Sequence, residues 1–88
     1  MIWIVEYEDA YDDWDVRTRV EEDTEIRLAT LEYMLEWRQH GPPRDAAYDD
    51  LRETWSCAIP GTPVIVEYVM LRYLDPPVVI VRGFLGAS

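Results

Sequence analysis

The chain has 88 residues, the size of one small domain, and 49% of them are hydrophobic, which excludes an intrinsically disordered segment. Eighteen acidic residues stand against eight basic ones, all of them Arg, and the formal net charge is −10. A chain this acidic repels the phosphate backbone of nucleic acids unless its arginines are clustered. The acidity has two interpretations: a bias of the source proteome towards Arg, Asp and Glu, or an acidic face that binds a basic partner or mimics nucleic acid.

The sequence offers little material for a metal site or a cofactor site. Cys57 is the only cysteine and His40 the only histidine, which excludes a thiolate cluster, an internal disulfide and a multi-histidine site. The glycines, at positions 41, 61, 83 and 86, are too scattered to form a phosphate-binding loop. The acidic runs around Asp12 and Asp49 are typical of solvated surface, with a divalent-cation site or a paired acid–base site as the alternative. We therefore expect no metal and no cofactor.

The cellular location follows from what the chain does not contain. No stretch approaches the roughly 18 apolar residues of a membrane-spanning helix. The first residues, MIWIVEYEDA, lack the basic region and the long apolar run of a signal peptide. We therefore expect a cytoplasmic protein without a membrane partner. The sequence leaves open whether the chain forms homo-oligomers.

The first predicted elements are a strand and a short helical segment. Residues 2–7 are rich in Ile, Trp, Val and Tyr and predict a strand. Residues 8–17 predict a turn or a short helix, in which Tyr11 and Trp14 are three positions apart and share one face.

Residues 21–40 form the clearest predicted element, a helix with one apolar stripe. The stripe consists of leucines at i, i+3 and i+7, namely Leu28, Leu31 and Leu35. Acidic residues crowd the start of this segment, and Arg38 and His40 lie near its end, where positive charge stabilises the helix dipole. The Gly-Pro-Pro sequence at 41–43 predicts the end of the helix.

The second half of the chain predicts a further helix and two strands. Residues 45–55 predict a short helix that is capped by Asp45 and has one apolar side. That side carries Tyr48, Leu51 and Trp55. Residues 59–63 predict a turn, and the β-branched segments 64–74 and 78–84 predict two strands. Because only residues 75–77 separate them, the two strands should pair as a hairpin.

The predicted fold is a single α+β domain over residues 1–88, with an N-terminal strand, a helical pair and a C-terminal antiparallel hairpin or sheet, in the order β-α-α-β-β. We expect the leucine stripe to cover the hairpin. Core positions are the better interpretation for the four tryptophans, Trp3, Trp14, Trp37 and Trp55. Tyr33 and Trp37 are four positions apart beside the stripe, and if they are exposed they predict a partner-binding pair.

The layout of residues 48–84, together with the apolar N-terminal strand, resembles a known family. The residues that carry the resemblance are Leu51, Trp55, Gly61, Tyr68, the turn at 75–77 and the closing Arg82, Gly83 and Phe84. The pattern consists of a Leu-containing helix end, a Trp that opens a strand, a Gly turn, a strand with a Tyr and an apolar last strand with a basic residue. It resembles that of the RelE/ParE superfamily of toxins from toxin–antitoxin modules, including its HigB-like branch. The likeness is one of apolar strands and turns and contains no fixed chemical signature.

The resemblance implies a toxin that a cognate antitoxin protein holds inactive. Ribosome-dependent members of the family cut mRNA, whereas ParE-like members act on DNA gyrase. Residues implied as functional are Arg82, Arg72 and Tyr73 on the sheet, with Arg52 from the last predicted helix. The alternative for Arg72 and Arg82 is an ion pair with Glu67 or Asp75.

The chain departs from the family where the cutting mechanism needs cations. Ile65 or Val66 stands where the strand carries Arg before its Tyr, and Ala58 replaces a basic residue that follows the Trp. These differences favour a protein-directed toxin, or a relative that has lost toxicity, over an mRNA endoribonuclease, and they leave enzymatic activity open. The alternative function is an acidic protein-interaction or inhibitor module, a nucleic-acid mimic or adaptor, without toxicity.

Overall fold

One helix and a five-stranded mixed sheet make up the part of the chain that the computed structural model describes, residues 2–8 and 24–85. The elements are β1 Ile4–Tyr7, α1 Thr24–His40, β2 Ala47–Asp49, β3 Thr54–Ala58, β4 Ile65–Leu71 and β5 Val78–Leu85. The strand order is β1-β5-β4-β3-β2; β1 runs parallel to β5, and every other neighbouring pair is antiparallel. The α+β class is confirmed. The segment predicted for residues 8–17 lies outside the described residues except for Glu8.

The C-terminal hairpin is present as the sequence predicts. β4 and β5 pair in antiparallel register, with Tyr68 opposite Val81 and Met70 opposite Val79. The pairing changes register between Glu67 and Tyr68, because Arg82 is one extra residue in β5. Strands so rich in Val and Ile favour the sheet because branched side chains pack well on a pleated surface.

The end of the helix is also where the sequence places it, and Gly41 is required there. The Gly41 N–H donates to the Trp37 carbonyl at 2.9 Å, and Gly41 has φ of 74°, a conformation that favours glycine. A Cβ at Gly41 would overlap the Trp3 ring. The Trp3 backbone N–H donates to the Arg38 carbonyl at 2.8 Å, so that the start of β1 is fixed against the helix end.

The leucine stripe does not cover the sheet, and this prediction is wrong. Leu28 and Leu35 are 55% and 61% exposed, whereas Thr30, Met34 and Trp37 are the buried residues of α1. The side of α1 that carries Trp37 faces the sheet, because burying the Trp37 ring removes more apolar surface from water than burying a leucine. The Thr30 hydroxyl donates to the Ile26 carbonyl at 2.8 Å and is therefore satisfied inside the interface.

The helix predicted for residues 45–55 is also wrong, because this segment forms the β2–β3 hairpin. The Asp49 carboxylate accepts hydrogen bonds from the N–H groups of Leu51 and Arg52, at 2.9 and 3.3 Å, and so closes a turn. Tyr48 lies opposite Trp55 with ring centroids 4.9 Å apart. The spacing that predicts one face of a helix is therefore a cross-strand aromatic pair. The helical pair of the expected layout is not found in the described residues.

The core lies between α1 and one face of the sheet. Its buried hydrophobic residues are Met34, Trp37, Ile59, Val64, Val66, Tyr68, Val79, Val81 and Phe84. Since neighbouring residues of a strand point to opposite faces, the remaining residues of β4 and β5 form a second surface on the other side. In residues 2–8 and 24–85, no helix has the length and apolarity needed to cross a membrane.

Candidate functional site

The sheet surface opposite α1 is apolar, and we call it the outer face. It carries Ile4, Ile65, Val69, Leu71, Val78, Ile80 and Leu85. Ile4, Ile65 and Leu85 are 40%, 42% and 41% exposed, and the other four are half-buried. The helix of the described part of the chain packs on the opposite side of the sheet. The outer face is therefore a second apolar surface, separate from the core.

An ion pair with a buried carboxylate lies on this face. Glu67 is only 6% exposed, and its carboxylate Oε2 lies 2.8 Å from the Arg52 guanidinium Nη1. Arg52 lies in the β2–β3 turn, and its side chain is 62% exposed. The irregularity at Arg82 places Gly83 opposite Glu67, and the absence of a side chain at Gly83 leaves open space there. Arg52 therefore neutralises a carboxylate that is otherwise shielded from water.

A second, looser pair joins β5 to the residue after β1. Arg82 Nε lies 3.7 Å from Glu8 Oε2, and both side chains are about half exposed. Backbone pairing sets this contact, because the Glu8 N–H donates to the Val81 carbonyl at 3.3 Å. Both arginines that the described residues place on the outer face are therefore paired with carboxylates.

The candidate residues of the sequence divide into two separate places. Arg52 and Arg82 lie on the outer face, whereas Arg72 and Tyr73 lie in the turn after β4. That turn begins about 16 Å along β4 from Glu67, at roughly 3.3 Å per residue. Arg72 Nη2 lies 3.7 Å from the Met70 sulfur, and Tyr73 is 82% exposed. The four residues do not converge on one point where a phosphate could be held.

The predicted partner-binding pair is corrected for one of its two members. Trp37 is 2% exposed and packs edge-on against Tyr68, so it is a core residue and not an exposed anchor. Tyr33 is half-buried, with its ring centroid 5.9 Å from that of Trp37. The pair cannot act together at a surface because the tryptophan has no accessible ring face.

A shallow cavity of about 530 Å³ lies beside Tyr33, at the sheet edge where β2 begins. Its lining includes Asp45, Ser56 and Cys57. Burial raises the pKa of the Cys57 thiol to about 11, which keeps it protonated and weakly nucleophilic at neutral pH. Burial also raises the pKa of Tyr33. The cavity therefore contains no activated nucleophile.

Two polar atoms of the core remain without hydrogen bonds. Trp37 Nε1 and the Tyr68 hydroxyl are buried and have no hydrogen-bond partner among the described residues. Burial raises the pKa of Tyr68, so its hydroxyl stays protonated. Across residues 2–8 and 24–85, no three His, Cys, Asp or Glu side chains are grouped so that they could hold a metal ion.

Comparison of the chain with models of protein families, with characterised proteins and with solved structures gives no significant match.

Glu67 is the residue whose role sequence reasoning places wrongly. A carboxylate within the apolar run VIVEYVML signals a cation that must reach it, and the sequence offers Arg72 and Arg82 as neighbours in the strands. The observed partner is Arg52, which is fifteen positions before Glu67. Only the β2–β3 turn, which the sequence predicts as a helix, brings Arg52 to the outer face.

Proposed function

We propose that this chain is a RelE/ParE-like toxin component of a toxin–antitoxin module, which binds a protein target and is neutralised by a cognate antitoxin. The target class is gyrase or a protein of the translation machinery. The sequence resemblance supports the family. The observation that carries the protein-directed mode of action is that both arginines of the outer face are paired with carboxylates within an apolar surface.

An RNA-cutting site needs cations that are free to stabilise charge on the scissile phosphate. Arg52 is held at 2.8 Å by Glu67, and Arg82 lies beside Glu8. Arg72 and Tyr73 are too distant from them to complete a site. An apolar patch with a polar rim is instead the ordinary form of a protein-binding surface. The geometry therefore favours protein binding over mRNA cleavage.

Controlled expression in bacteria tests this function. We expect growth arrest on induction of the chain alone, and relief of the arrest when the neighbouring reading frame is co-expressed. Purified chain should leave ribosome-bound mRNA intact. Harmless expression of folded protein at high level would overturn the toxin proposal, and cleaved mRNA would overturn the protein-directed mode.

Two variants assign any arrest to the outer face. Ile65→Asp places a charge on that face, and Leu28→Asp makes the same change at a comparably exposed position on α1. We expect Ile65→Asp to abolish the arrest and Leu28→Asp to retain it. Circular dichroism of both variants controls for folding.

An acidic protein-interaction or inhibitor module is the second candidate. The net charge of −10 favours it, as do the carboxylates that compensate both arginines of the outer face. Such a module would be harmless on expression and would bind basic partners with an affinity that falls steeply with salt. Salt-insensitive binding in a pull-down would exclude it.

A further inference from the structure

We infer that the outer face binds a cationic amphipathic helix of a partner protein. This inference rests on the proposed function and deepens it, because it specifies the surface and the chemistry of the partner.

The shape of the apolar surface comes from the pairing of three neighbouring strands. Ile4 lies opposite Val78, which lies opposite Leu71, and the next row on this face joins Ile80 to Val69. The band spans β1, β5 and β4, which is about 10 Å across at roughly 4.8 Å per strand. Along β4 this face extends for about 23 Å, with the Glu67–Gly83 row and its Arg52 ion pair between the apolar rows. One helix of four to five turns has about these dimensions.

The kind of element that fits follows from backbone hydrogen bonding. The strands of the outer face already pair with one another, so the middle of this face offers few backbone groups to an extended peptide. A partner that covers it has to satisfy its own backbone and to present an apolar stripe. A helix does both, as in the layered packing of helices on sheets.

The charge of the partner follows from which charges on the outer face remain uncompensated. Arg52 and Arg82 are each paired with a carboxylate. Glu6, exposed in the row of Ile80, has no partner of this kind within the described residues. Arg72 contacts the sulfur of Met70, which packs against the core, so this arginine lies on the other side of the sheet. Within the described part of the chain, the excess charge at the outer face is therefore negative.

The same charges disfavour the other occupants. Two copies of a chain with a net charge of −10 repel each other. A nucleic acid would meet no unpaired arginine on this face among residues 2–8 and 24–85. Lysines and arginines that flank the apolar stripe of a helix would instead meet Glu6 and the overall negative field.

The test uses the full chain, labelled with ¹⁵N, and a synthetic helical peptide of about 18 residues, roughly 27 Å long. The peptide has a leucine stripe and lysines elsewhere. Two control peptides replace every lysine by glutamate or scramble the leucine positions. We expect shifts at Ile4, Ile65 and Ile80 with the lysine peptide only, and binding at least about fivefold weaker at 300 mM than at 50 mM salt.

Gly83→Arg is the blocking variant, because a Cβ at Gly83 meets no atom within 4 Å and the fold should tolerate it. Leu28→Arg is the matched control on α1, where the side chain is 55% exposed. We expect Gly83→Arg to weaken peptide binding at least about tenfold, as occlusion of a central contact does, and Leu28→Arg to leave it within about twofold. The amide spectra of both variants report folding.

Several results would overturn the inference. These are equal binding of the glutamate peptide, shifts confined to α1, insensitivity to Gly83→Arg, or concentration-dependent dimerisation through the outer face. Preferential binding of single-stranded RNA at that face would count equally against it. Growth arrest without peptide binding overturns the inference alone, whereas peptide binding without arrest overturns the proposed toxin function alone.

Discussion

Trp37 packs edge-on against Tyr68, with ring centroids 4.8 Å apart and ring planes at 73°. This contact connects the middle of the C-terminal hairpin to the last turns of the helix. Both rings are fully buried, and Phe84 lies in the same core. In a domain of this size, a single aromatic contact of this kind accounts for a large part of the net stability.

Removing the Trp37 ring should therefore be costly. We expect Trp37→Ala to lower the free energy of unfolding by about 3–5 kcal/mol, the range for truncation of a buried aromatic. Leu35→Ala, at a position that is 61% exposed, should change it by less than about 0.5 kcal/mol. Urea titrations followed by circular dichroism measure both. If Trp37→Ala does not fold, Trp37→Phe gives a smaller loss. Equal losses for Leu35 and Trp37 would restore the leucine stripe as the core face.

Substitutions at Gly41 and Gly61 allow the cost of a steric overlap to be measured separately from the cost of the backbone conformation. Both have positive φ, 74° and 76°, but a Cβ at Gly61 meets no atom within 4 Å, whereas one at Gly41 would overlap the Trp3 ring. We expect Gly61→Ala to cost about 1 kcal/mol from the left-handed conformation alone. Gly41→Ala should cost at least about 1 kcal/mol more, because Trp3 has to move. Thermal unfolding of the two variants gives the comparison, and similar losses would show that Trp3 adapts freely.

The two ion pairs of the outer face should differ in their contribution to stability. Arg52→Ala leaves the carboxylate of Glu67 shielded and unpaired, and we expect a loss of about 1–2 kcal/mol, with partial recovery in the Arg52→Ala, Glu67→Gln double variant. Arg82→Ala disrupts a half-exposed pair and should cost less than about 0.5 kcal/mol. Chemical unfolding at low salt measures each loss. A larger loss of stability for Arg82→Ala than for Arg52→Ala would contradict this ranking of the two ion pairs.

The Cys57 thiol should react slowly, because burial raises its pKa to about 11. The thiolate is the reactive form, so the logarithm of the alkylation rate with iodoacetamide should rise linearly from pH 7 to pH 10 without a plateau. The sign for stability follows: the unfolded thiol ionises first, so the contribution of Cys57 is present below the ordinary thiol pKa and is lost as the pH rises towards 11. Cys57→Ala should flatten this part of the pH dependence. A rate plateau near pH 8 would show an unshifted thiol.

The sequence predicts best those features that local chemistry decides. The helix ends at Gly41 because a glycine and two prolines cannot continue it, and β4 and β5 form because β-branched and aromatic residues dominate both segments. These elements need no knowledge of the rest of the chain.

The errors arise where distant contacts decide between local alternatives. Positions 48, 51 and 55 fit one side of a helix, but the Asp49 carboxylate accepts from the turn N–H groups, and Tyr48 pairs with Trp55 across two strands. The leucine stripe also fits helical periodicity, but α1 faces the sheet with the side that carries Trp37, because the Trp37 ring is larger than a leucine side chain. Pairing of Arg52 with Glu67 could not be derived either, since it depends on a hairpin that the periodicity obscures.

The extra residue Arg82 has a consequence for the two sides of the sheet. Val81 and Phe84 are three positions apart, an odd spacing that a regular strand would split between opposite sides. The irregularity at Arg82 lets both enter the core and, on the reverse side, keeps Ile80 and Leu85 together. Deleting Arg82 would leave the parity of every other residue in β5 intact, whereas deleting Ile80 would exchange the two layers over half of the strand. The length of β5 is therefore adjustable at the irregularity and not in the regular part of the strand.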